Sequence, residues 1–428
     1  MTKDKYGFTR LLFIIEAAAE YFISLIVTGA YLARLTGILG ISDGMTAIIA
    51  NFVSLGCGFQ MLAIFMFRKK SVKKGVTTIL VTTQLLFAAL YVVPFFNMSP
   101  SGKTAVFMAF ILIAYFLKNI AEAPKINMYM AAVPDKKRGV FTSVKEMVSL
   151  IGGTIFVNII GRIVDGYDEI GQTETSLVIC GTVIFVLMII HTITLVLAKE
   201  KTFEKPDTEV KNNSLIEFKH LILNKKIMLV IGVNTLWSIS NAISLPFNGT
   251  FVIHELNFDM KFIAMVTALY SVVRIPVSFV LARIADKTTF SKMLIICFMI
   301  KLLSFAFKIF TVPANGRVFY TVYHLLDAAA MGGINSAQIN LIYDYVAPEN
   351  RKNALALKQT IYGFVGFFTT LAITPFFNFM QKCDMVVMGH KFYAQNVLAM
   401  ISLIIVVANI IYVKTVVWKL KPYTPEGG

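Results

Sequence analysis

Long apolar segments occupy most of this chain. We identify twelve, each with the roughly 20 residues that a helix needs to cross about 30 Å of hydrocarbon. Lipid offers backbone groups no hydrogen-bond partner, so all twelve should be α-helices. Their predicted spans are 10–34, 44–67, 75–96, 104–132, 141–163, 176–198, 227–253, 260–283, 291–312, 318–346, 354–380 and 392–417.

The composition is typical of a polytopic membrane protein. Hydrophobic residues make up 57% of the 428 residues and charged residues 15%, and the mean hydropathy is +0.72. A soluble domain has about 25% charged residues. The net charge of +16 could suggest nucleic acid, but most Lys and Arg residues fall in predicted loops on one side. This positive-inside pattern predicts no nucleic-acid partner, and it places both termini in the cytoplasm and the chain in the cytoplasmic (inner) membrane.

The sequence shows no motif of a metal site, a cofactor site or a catalytic centre. The four cysteines are far apart and no Cys/His spacing suits a metal. HExxH, GxSxG and Walker A patterns do not occur. We therefore expect no enzyme, no cofactor and no bound metal.

The chain repeats itself at about half its length. Such spacing indicates a duplicated unit of roughly 200 residues. We predict an N-terminal six-helix bundle over 1–198, a cytoplasmic connector over 199–226 and a C-terminal six-helix bundle over 227–428. The matching residues are Ile126-Asn127, Arg138 and Lys145 with Ile339-Asn340, Arg351 and Lys358, 213 residues apart, and Ile23-Ser24-Leu25 with Ile243-Ser244-Leu245, 220 residues apart.

Two structures are possible for the connector. Its second part, residues 215–222, could form an amphipathic helix on the cytoplasmic leaflet. It could equally be a solvated tether, since one or two turns rarely hold a helix alone.

Six helices, a cytoplasmic connector and six related helices are the layout of the major facilitator superfamily, which the chain resembles over nearly its whole length. Residues 282–287, Ala-Arg-Ile-Ala-Asp-Lys, resemble the family's charged turn between helices 8 and 9, whereas residues 68–70, Arg-Lys-Lys, replace its Asp between helices 2 and 3. Lys118 stands near the middle of helix 4, where the family has an Arg. The family's Gly-Pro motif in helix 5 is absent, and Gly152-Gly153 nearby is a candidate for close helix packing. The resemblance implies an all-α membrane protein with twelve transmembrane helices in two pseudo-symmetric six-helix bundles.

The charged cytoplasmic turns suggest a gate. Alternating access needs two bundles that rock around a central site, and a charged turn could latch them in one state. The candidates are Asp286, Lys287, Arg138 and Arg351. The Lys and Arg could instead serve only to set the topology.

Several polar and ionisable residues stand at membrane depth, where each charge costs about 2.5–3.5 kcal/mol on insertion scales. In the resembled family helices 1, 4, 7 and 10 line the central cavity, so the resemblance implies that most of them face water. The candidate substrate-binding or coupling residues are Glu16, Glu20, Lys118, Glu122, Asn234, Trp237, Asn241, Arg274, Asp327 and Asn335.

Three carboxylates of the first half are candidates for proton coupling. Glu16 and Glu20 lie one turn apart on one helix face, and two carboxylates in a low-dielectric cavity do not easily both stay charged. Glu122 is the third candidate, although an i,i+4 pair with Lys118 could be purely structural.

The second half has its own candidates. Asp327 could be the coupling acid, alone or with His324, or it could pair with Arg274. Trp237 could stack on a substrate or simply pack between helices. Lys308 is expected to snorkel outward, while Lys301 has no evident partner in the sequence.

These features predict a secondary active transporter for a small polar organic solute, sugar-like or zwitterionic, coupled to a proton or cation gradient. The alternative is proton-driven efflux of amphiphilic or cationic compounds. A more distant one is a non-transporting membrane sensor or a lipid-handling protein. Besides the solute and the ion, the only partner expected is membrane lipid, with the chain a monomer.

Overall fold

The computed structural model of the chain describes residues 6–60, 72–134, 138–200, 220–347, 350–383, 386–387 and 390–420. Contacts divide the chain into two compact units. The first comprises Met1–Lys205 with Phe258–Ala268, and the second comprises Pro206–Asn257 with Leu269–Gly428. The predicted bounds of the bundles and the connector stay a prediction, because residues 201–219 lie outside the described part of the chain.

In its described residues the first unit contains eight helices. Helix α1 is broken from α2 where Gly29 takes a φ of +56°, a value that suits glycine. The helices are α1 (Gly7–Ile26), α2 (Gly29–Ile38), α3 (Asp43–Ala50), α4 (Phe52–Gly58), α5 (Val72–Leu90), α6 (Pro100–Ala131), α7 (Arg138–Glu169) and α8 (Thr173–Leu197), with a 3₁₀ turn at Val93–Phe95.

The part of the second unit that the structure describes contains six long helices. They are α9 (Lys225–Ser244), α10 (Met260–Lys287, whose first turns belong to the first unit), α11 (Phe290–Ile309), α12 (Gly316–Tyr345), α13 (Arg351–Lys382) and α14 (Ala394–Thr415). Helical turns at Asn248–Thr250, Phe251–Glu255 and Val417–Lys419 continue α9 and α14. Strands β1 (Val386–Val387) and β2 (His390–Lys391) pair antiparallel, with Val386 opposite Lys391.

Within the described residues, eight helices are long and apolar enough to cross a membrane, and nine if the pair α1 and α2, bent by 46°, forms one span. Twelve spans are therefore not confirmed. The predicted segment 44–67 is interrupted at Asn51, between α3 and α4, and continues into residues outside the description. Helix α12 is long enough to cross a membrane but is not among these spans, because polar and charged side chains, among them Asp327, lower its hydropathy.

The sequence repeat corresponds to matched helices. Arg138 begins α7 and Arg351 begins α13, and both helices have 32 residues. Their first and last residues are therefore 213 positions apart, the same interval as in the sequence repeat. The repeated charged turn is thus the start of a long helix in each copy.

The core of the first unit lies where α1, α5, α6 and α8 meet. Buried Phe13 of α1 packs on Tyr129 of α6, with ring centroids 4.0 Å apart. Helix α7 approaches α1 closely, because a Cβ at Gly153 would come within 2.4 Å of the Tyr21 ring. This bears out the packing role expected of Gly152-Gly153. In the second unit α11 packs on α12 and α14, and α9 packs on α13 and α14.

Candidate functional site

A charged cluster in the first unit is centred on Glu20, on the buried side of α1. Lys118 Nζ lies 3.1 Å from one carboxylate oxygen of Glu20, and Lys125 contacts the other. Lys125 also lies 2.8 Å from Glu122. Glu20 is 8% exposed and Lys125 5% exposed. Both oxygens of one buried carboxylate are therefore held by ammonium groups.

Helix geometry explains how α6 supplies three members of this cluster. Lys118, Glu122 and Lys125 follow one another at i, i+4 and i+7, so they share one helix face. Pro124, within α6, cannot donate the backbone hydrogen bond that a regular helix makes to residue 120.

The possible structural pair of Lys118 with Glu122 is not realised in the described structure. Lys118 reaches across to Glu20 of α1, and Glu122 is instead the partner of Lys125. Sequence reasoning missed Lys125, although its spacing from Glu122 could have identified it. Lys118 therefore pairs with Glu20 on another helix and not with Glu122, its neighbour one turn further along α6.

Glu16 faces a histidine that the sequence analysis did not consider. His191 of α8 places Nε2 2.8 Å from Glu16 Oε1, and both side chains are fully buried. The distance is that of an ion pair, but no hydrogen bond of good geometry forms at either residue. A single histidine in an apolar helix gives no periodic signal, so only the packing of α1 against α8 could reveal this pair.

The ligand atoms of Glu16, Glu20 and His191 lie within 4.8 Å of one another. Two carboxylates and an imidazole are donors that suit a transition metal. Both Glu20 oxygens are already in contact with lysines, so a metal here would have to displace an ammonium group. The donor set therefore fits a metal poorly.

A second charged pair lies in the second unit, where α11 packs on α12. Lys301 contacts Asp327, and both are largely buried. Lys301 Nζ also lies over three aromatic rings, 4.6 Å from Phe305, 5.7 Å from Trp237 and 6.0 Å from Tyr323. Aromatic faces attract a cation, so this lysine has both a counter-ion and an apolar setting that tolerates its charge.

The possible partnership of Asp327 with Arg274 is not realised. Across the described side chains, no ion pair joins Arg274 to Asp327, which pairs with Lys301 instead. The half-buried Arg274 lies on α10, two residues before Pro276. Lys301 therefore gains the partner that the sequence did not reveal.

Lys308 does not snorkel outward. Its side chain is fully buried, and Nζ lies 2.6 Å from Ser244 Oγ and 5.2 Å from the Tyr323 ring. Its fixed position two turns after Lys301 on α11 brings a second ammonium group into the interior of this unit. Among the described groups around Lys301 and Lys308 there is thus one carboxylate, that of Asp327, for two lysines.

Aromatic and amide groups surround this pair. His324 stacks on Tyr320 at 5.6 Å and lies 4.8 Å from Tyr270. Its Nδ1 has no hydrogen-bond partner, and no hydrogen bond joins it to Asp327 among the described residues. Asn248 Nδ2 donates to Tyr323 at 3.4 Å. Trp237 is 2% exposed and stacks on Phe298, which is a packing role in this state.

The remaining membrane candidates do not join these contacts. Asn234 of α9 is fully buried, and its amide finds no hydrogen-bond partner among the described residues. Asn241 is half-buried and Asn335 is exposed. Their roles stay predictions.

The candidate gate residues are only partly described. Arg351 donates to the carbonyls of Tyr343 at 2.9 Å and Val346 at 3.1 Å, so it ties down the end of α12. Lys287 is exposed in the last turn of α10. The side chains of Arg138 and Asp286 lie outside the described part of the structure.

A pocket of about 260 Å³ in the first unit lies away from the charged cluster. It is bounded by the end of α2, the segment after α5 and the start of α8, with Lys103 and Glu174 as its charged residues. No candidate residue lines it, so the buried charges define the candidate site.

Comparison with known proteins gives the family. The family model of the Major Facilitator Superfamily matches residues 12–370. Similar solved structures include a nucleoside transporter, NupG (14% identity, 96% of this chain and 100% of that chain, TM-score 0.70), and a D-xylose-proton symporter (14%, 98% and 98%, 0.72). Another is the xylose transporter XylE from E. coli in an inward open conformation (10%, 97% and 97%, 0.65). No curated protein matches.

The chain belongs to the Major Facilitator Superfamily, as its sequence resemblance indicated. At 10–14% identity the solved structures show the shared fold alone. The protein is thus a multi-pass membrane transporter of small solutes and not an enzyme.

Proposed function

We propose that the protein carries a small polar organic solute, sugar-like or zwitterionic, across the cytoplasmic membrane by alternating access, coupled to a proton or cation gradient. The moving parts are the halves 1–198 and 227–428, joined by the connector 199–226. The chain acts as a monomer among membrane lipids, with both termini in the cytoplasm.

The presence of a buried charged cluster in each unit carries this proposal. Replacing a buried ion pair by apolar residues is often neutral or stabilising, by about 1–4 kcal/mol. Stability alone therefore gives little reason to keep Glu20 with Lys118, or Asp327 with Lys301, inside apolar helices. Ionisable groups at membrane depth most often mark a substrate or ion pathway.

The composition of the second cluster supports a polar or zwitterionic solute over an amphiphilic cation. Two lysines and one carboxylate, with Trp237, Tyr320 and Tyr323 nearby, offer hydrogen-bond donors and aromatic faces. The carboxylate of Asp327 is already paired with Lys301, so this cluster offers an incoming cation no unpaired counter-charge among the described residues. Cationic efflux is therefore the weaker candidate.

We assign roles in line with this chemistry. Acidic residues of the first unit exchange protons, and polar residues of both units bind the solute as it reaches them. The proposed binding or coupling residues are Glu16, Glu20, Lys118, Glu122, Asn234, Trp237, Asn241, Arg274, Asp327 and Asn335. Asp286, Lys287, Arg138 and Arg351 form the proposed cytoplasmic gate.

A transport screen tests the proposal. Purified protein in proteoliposomes is given an imposed pH gradient and labelled sugars, amino acids, nucleosides and one cationic dye. We expect gradient-dependent movement of at least one polar solute, with Glu20→Gln abolishing it. Movement of the dye alone would favour efflux, and no solute movement with any probe would contradict the proposal.

Fluorescence offers a second readout of solute binding. The chain has two tryptophans, and Trp418 is exposed whereas Trp237 is buried beside Lys301. In Trp418→Phe protein the emission reports Trp237 alone. A saturable change with the transported solute, absent with a non-transported one, is expected if the solute binds near Lys301.

A further inference from the structure

The pair of Glu16 with His191 lies beside the lysine contacts of Glu20, and His191 has no role in the function proposed above. Both side chains are fully buried, on α1 and α8, and their polar atoms make no hydrogen bond of good geometry with the rest of the described structure. Buried polar groups are nearly always satisfied. Among the described residues the ion-pair partner of each is the other, at 2.8 Å between His191 Nε2 and Glu16 Oε1, so a small ligand, at least a proton, has to join the two.

Charge balance indicates what that ligand is. The connected cluster of the first unit contains the carboxylates of Glu16, Glu20 and Glu122 and the ammonium groups of Lys118 and Lys125. Glu122 is about one-third exposed and so partly solvated, and the two lysines contact Glu20 and Glu122 but not Glu16. With a neutral His191, the charge of the fully buried Glu16 therefore has no cation in contact with it among the described residues, which is costly. One proton on the imidazole supplies that cation.

The geometry favours a proton over a metal ion. Both oxygens of Glu20 are in contact with lysines, so only Glu16 and His191 remain as donors. Two donors are few for Zn²⁺, which takes three or four protein ligands, and for Na⁺ an imidazole nitrogen is a poor partner because hard cations prefer oxygen. A proton needs only the 2.8 Å between Nε2 and Oε1.

We propose that Glu16 and His191 together hold one exchangeable proton, and that this proton is the coupling ion of the transporter. Only the coupling role rests on the proposed function; the proton site does not. When the pair is loaded, the proton sits on the imidazole and completes an ion pair with the Glu16 carboxylate. When it leaves, the imidazole is neutral and Glu16 faces Glu20, with ligand atoms within 4.8 Å.

The remaining charged groups on the helices around the pair do not supply this balance. On α5, which packs on α8, Lys73 and Lys74 lie in the first turn, and Lys73 binds the carbonyls of Val196 and Ala198 beyond His191. On α7, which packs on α1, the described side chains of Lys145 and Glu146 are partly and largely exposed in its first turns. The other charged residues of α7 with described side chains lie in its last two turns: Arg162, Asp165, Asp168 and Glu169.

Nuclear magnetic resonance on the full chain tests the proton site without any solute. The protein is labelled with ¹⁵N-histidine in lipid nanodiscs, and the resonance of His191 is assigned by its loss in His191→Gln. We expect a pH-dependent shift between the neutral and the doubly protonated ring, with the doubly protonated form strongly reduced in Glu16→Gln. His254→Gln and Glu169→Gln, which remove exposed groups, serve as controls and should leave the His191 shift unchanged.

Other outcomes separate this inference from the proposed function. An identical His191 titration in wild type and Glu16→Gln overturns the proton site. Zn²⁺ or Mn²⁺ that binds in calorimetry and is lost in both Glu16→Gln and His191→Gln shows a metal site instead. A coupled His191 titration in a protein that moves no solute leaves the proton site standing and overturns the proposed function. Gradient-driven uptake that is unchanged in His191→Gln removes the coupling role.

Discussion

At the scale of single residues, the choice of partner decides what each buried charge can do. Glu20 is held by lysines from two sides, so it stays an acceptor for them, whereas the ion-pair partner of Glu16 among the described residues is an imidazole. Two carboxylates one turn apart on α1 thus have different surroundings. Their difference comes entirely from α6 and α8, which present lysines to one and a histidine to the other.

Removing Glu20 should destabilise the protein more than removing its whole pair with Lys125. Glu20→Gln leaves the buried ammonium group of Lys125 and the half-buried one of Lys118 with less compensation, a type of change that costs about 3–5 kcal/mol. In Glu20→Leu combined with Lys125→Leu, part of this loss should return. Thermal unfolding in detergent measures both, and a double variant no more stable than Glu20→Gln would contradict the expectation.

The two lysines of α11 provide a matched comparison. Lys301→Met leaves Asp327 buried without its partner, so we expect a loss of about 3–5 kcal/mol. Lys308→Met removes a buried ammonium group that contacts only hydroxyl, carbonyl and ring groups among the described residues, so the change should be within about 1 kcal/mol or stabilising. Unfolding of the two variants side by side checks this, and equal losses would show that Lys308 has a counter-charge.

At the scale of helices, close packing of α7 on α1 depends on two glycines. A Cβ at Gly152 would meet the Phe22 ring at 2.7 Å, and one at Gly153 would meet Tyr21 at 2.4 Å, whereas Gly166 of the same helix has open space. Small residues let transmembrane helices approach closely. The aromatic rings of α1 therefore lie directly on the backbone of α7.

Alanine substitution tests this contact. Gly153→Ala should destabilise the protein by about 1–3 kcal/mol, because the added methyl group forces Tyr21 to move. Gly166→Ala should be neutral or slightly stabilising, because alanine is the better helix former. Unfolding temperatures of the two variants give the comparison, and a Gly153→Ala protein as stable as wild type would show that Tyr21 moves aside freely.

At the scale of the whole molecule, the fold was predictable for two reasons. Lipid restricts the chain to helices, and the two halves repeat residues at a constant interval of 213 positions. Arg138 and Arg351 marked the starts of two equal helices. The breaks at Gly29 and Asn51 were not predictable, since apolar sequence continues across them. Glu16, Glu20, Lys118 and Glu122 were identified as buried charges, but Lys125, His191 and the partner of Lys301 depend on which helices become neighbours, which periodicity does not encode.

Coupling to one proton predicts electrogenic transport of a neutral or zwitterionic solute. One charge moving across 100 mV corresponds to about 2.3 kcal/mol, or up to about 50-fold in the accumulation ratio. A potassium diffusion potential, inside negative, should therefore raise solute accumulation in proteoliposomes. Accumulation that ignores the potential in wild type, or responds equally in Glu16→Gln, would contradict this coupling.

The contact between Glu20 and Lys125 also has a consequence for biosynthesis. The two residues are 105 positions apart, and ribosomes add about 5–20 residues each second. For roughly 5–20 seconds the nascent first helix must therefore wait in the translocon or bilayer before its counter-charge emerges. During that interval the carboxyl group needs a temporary shield, from water in the insertion channel or from a chaperone, until α6 packs beside it.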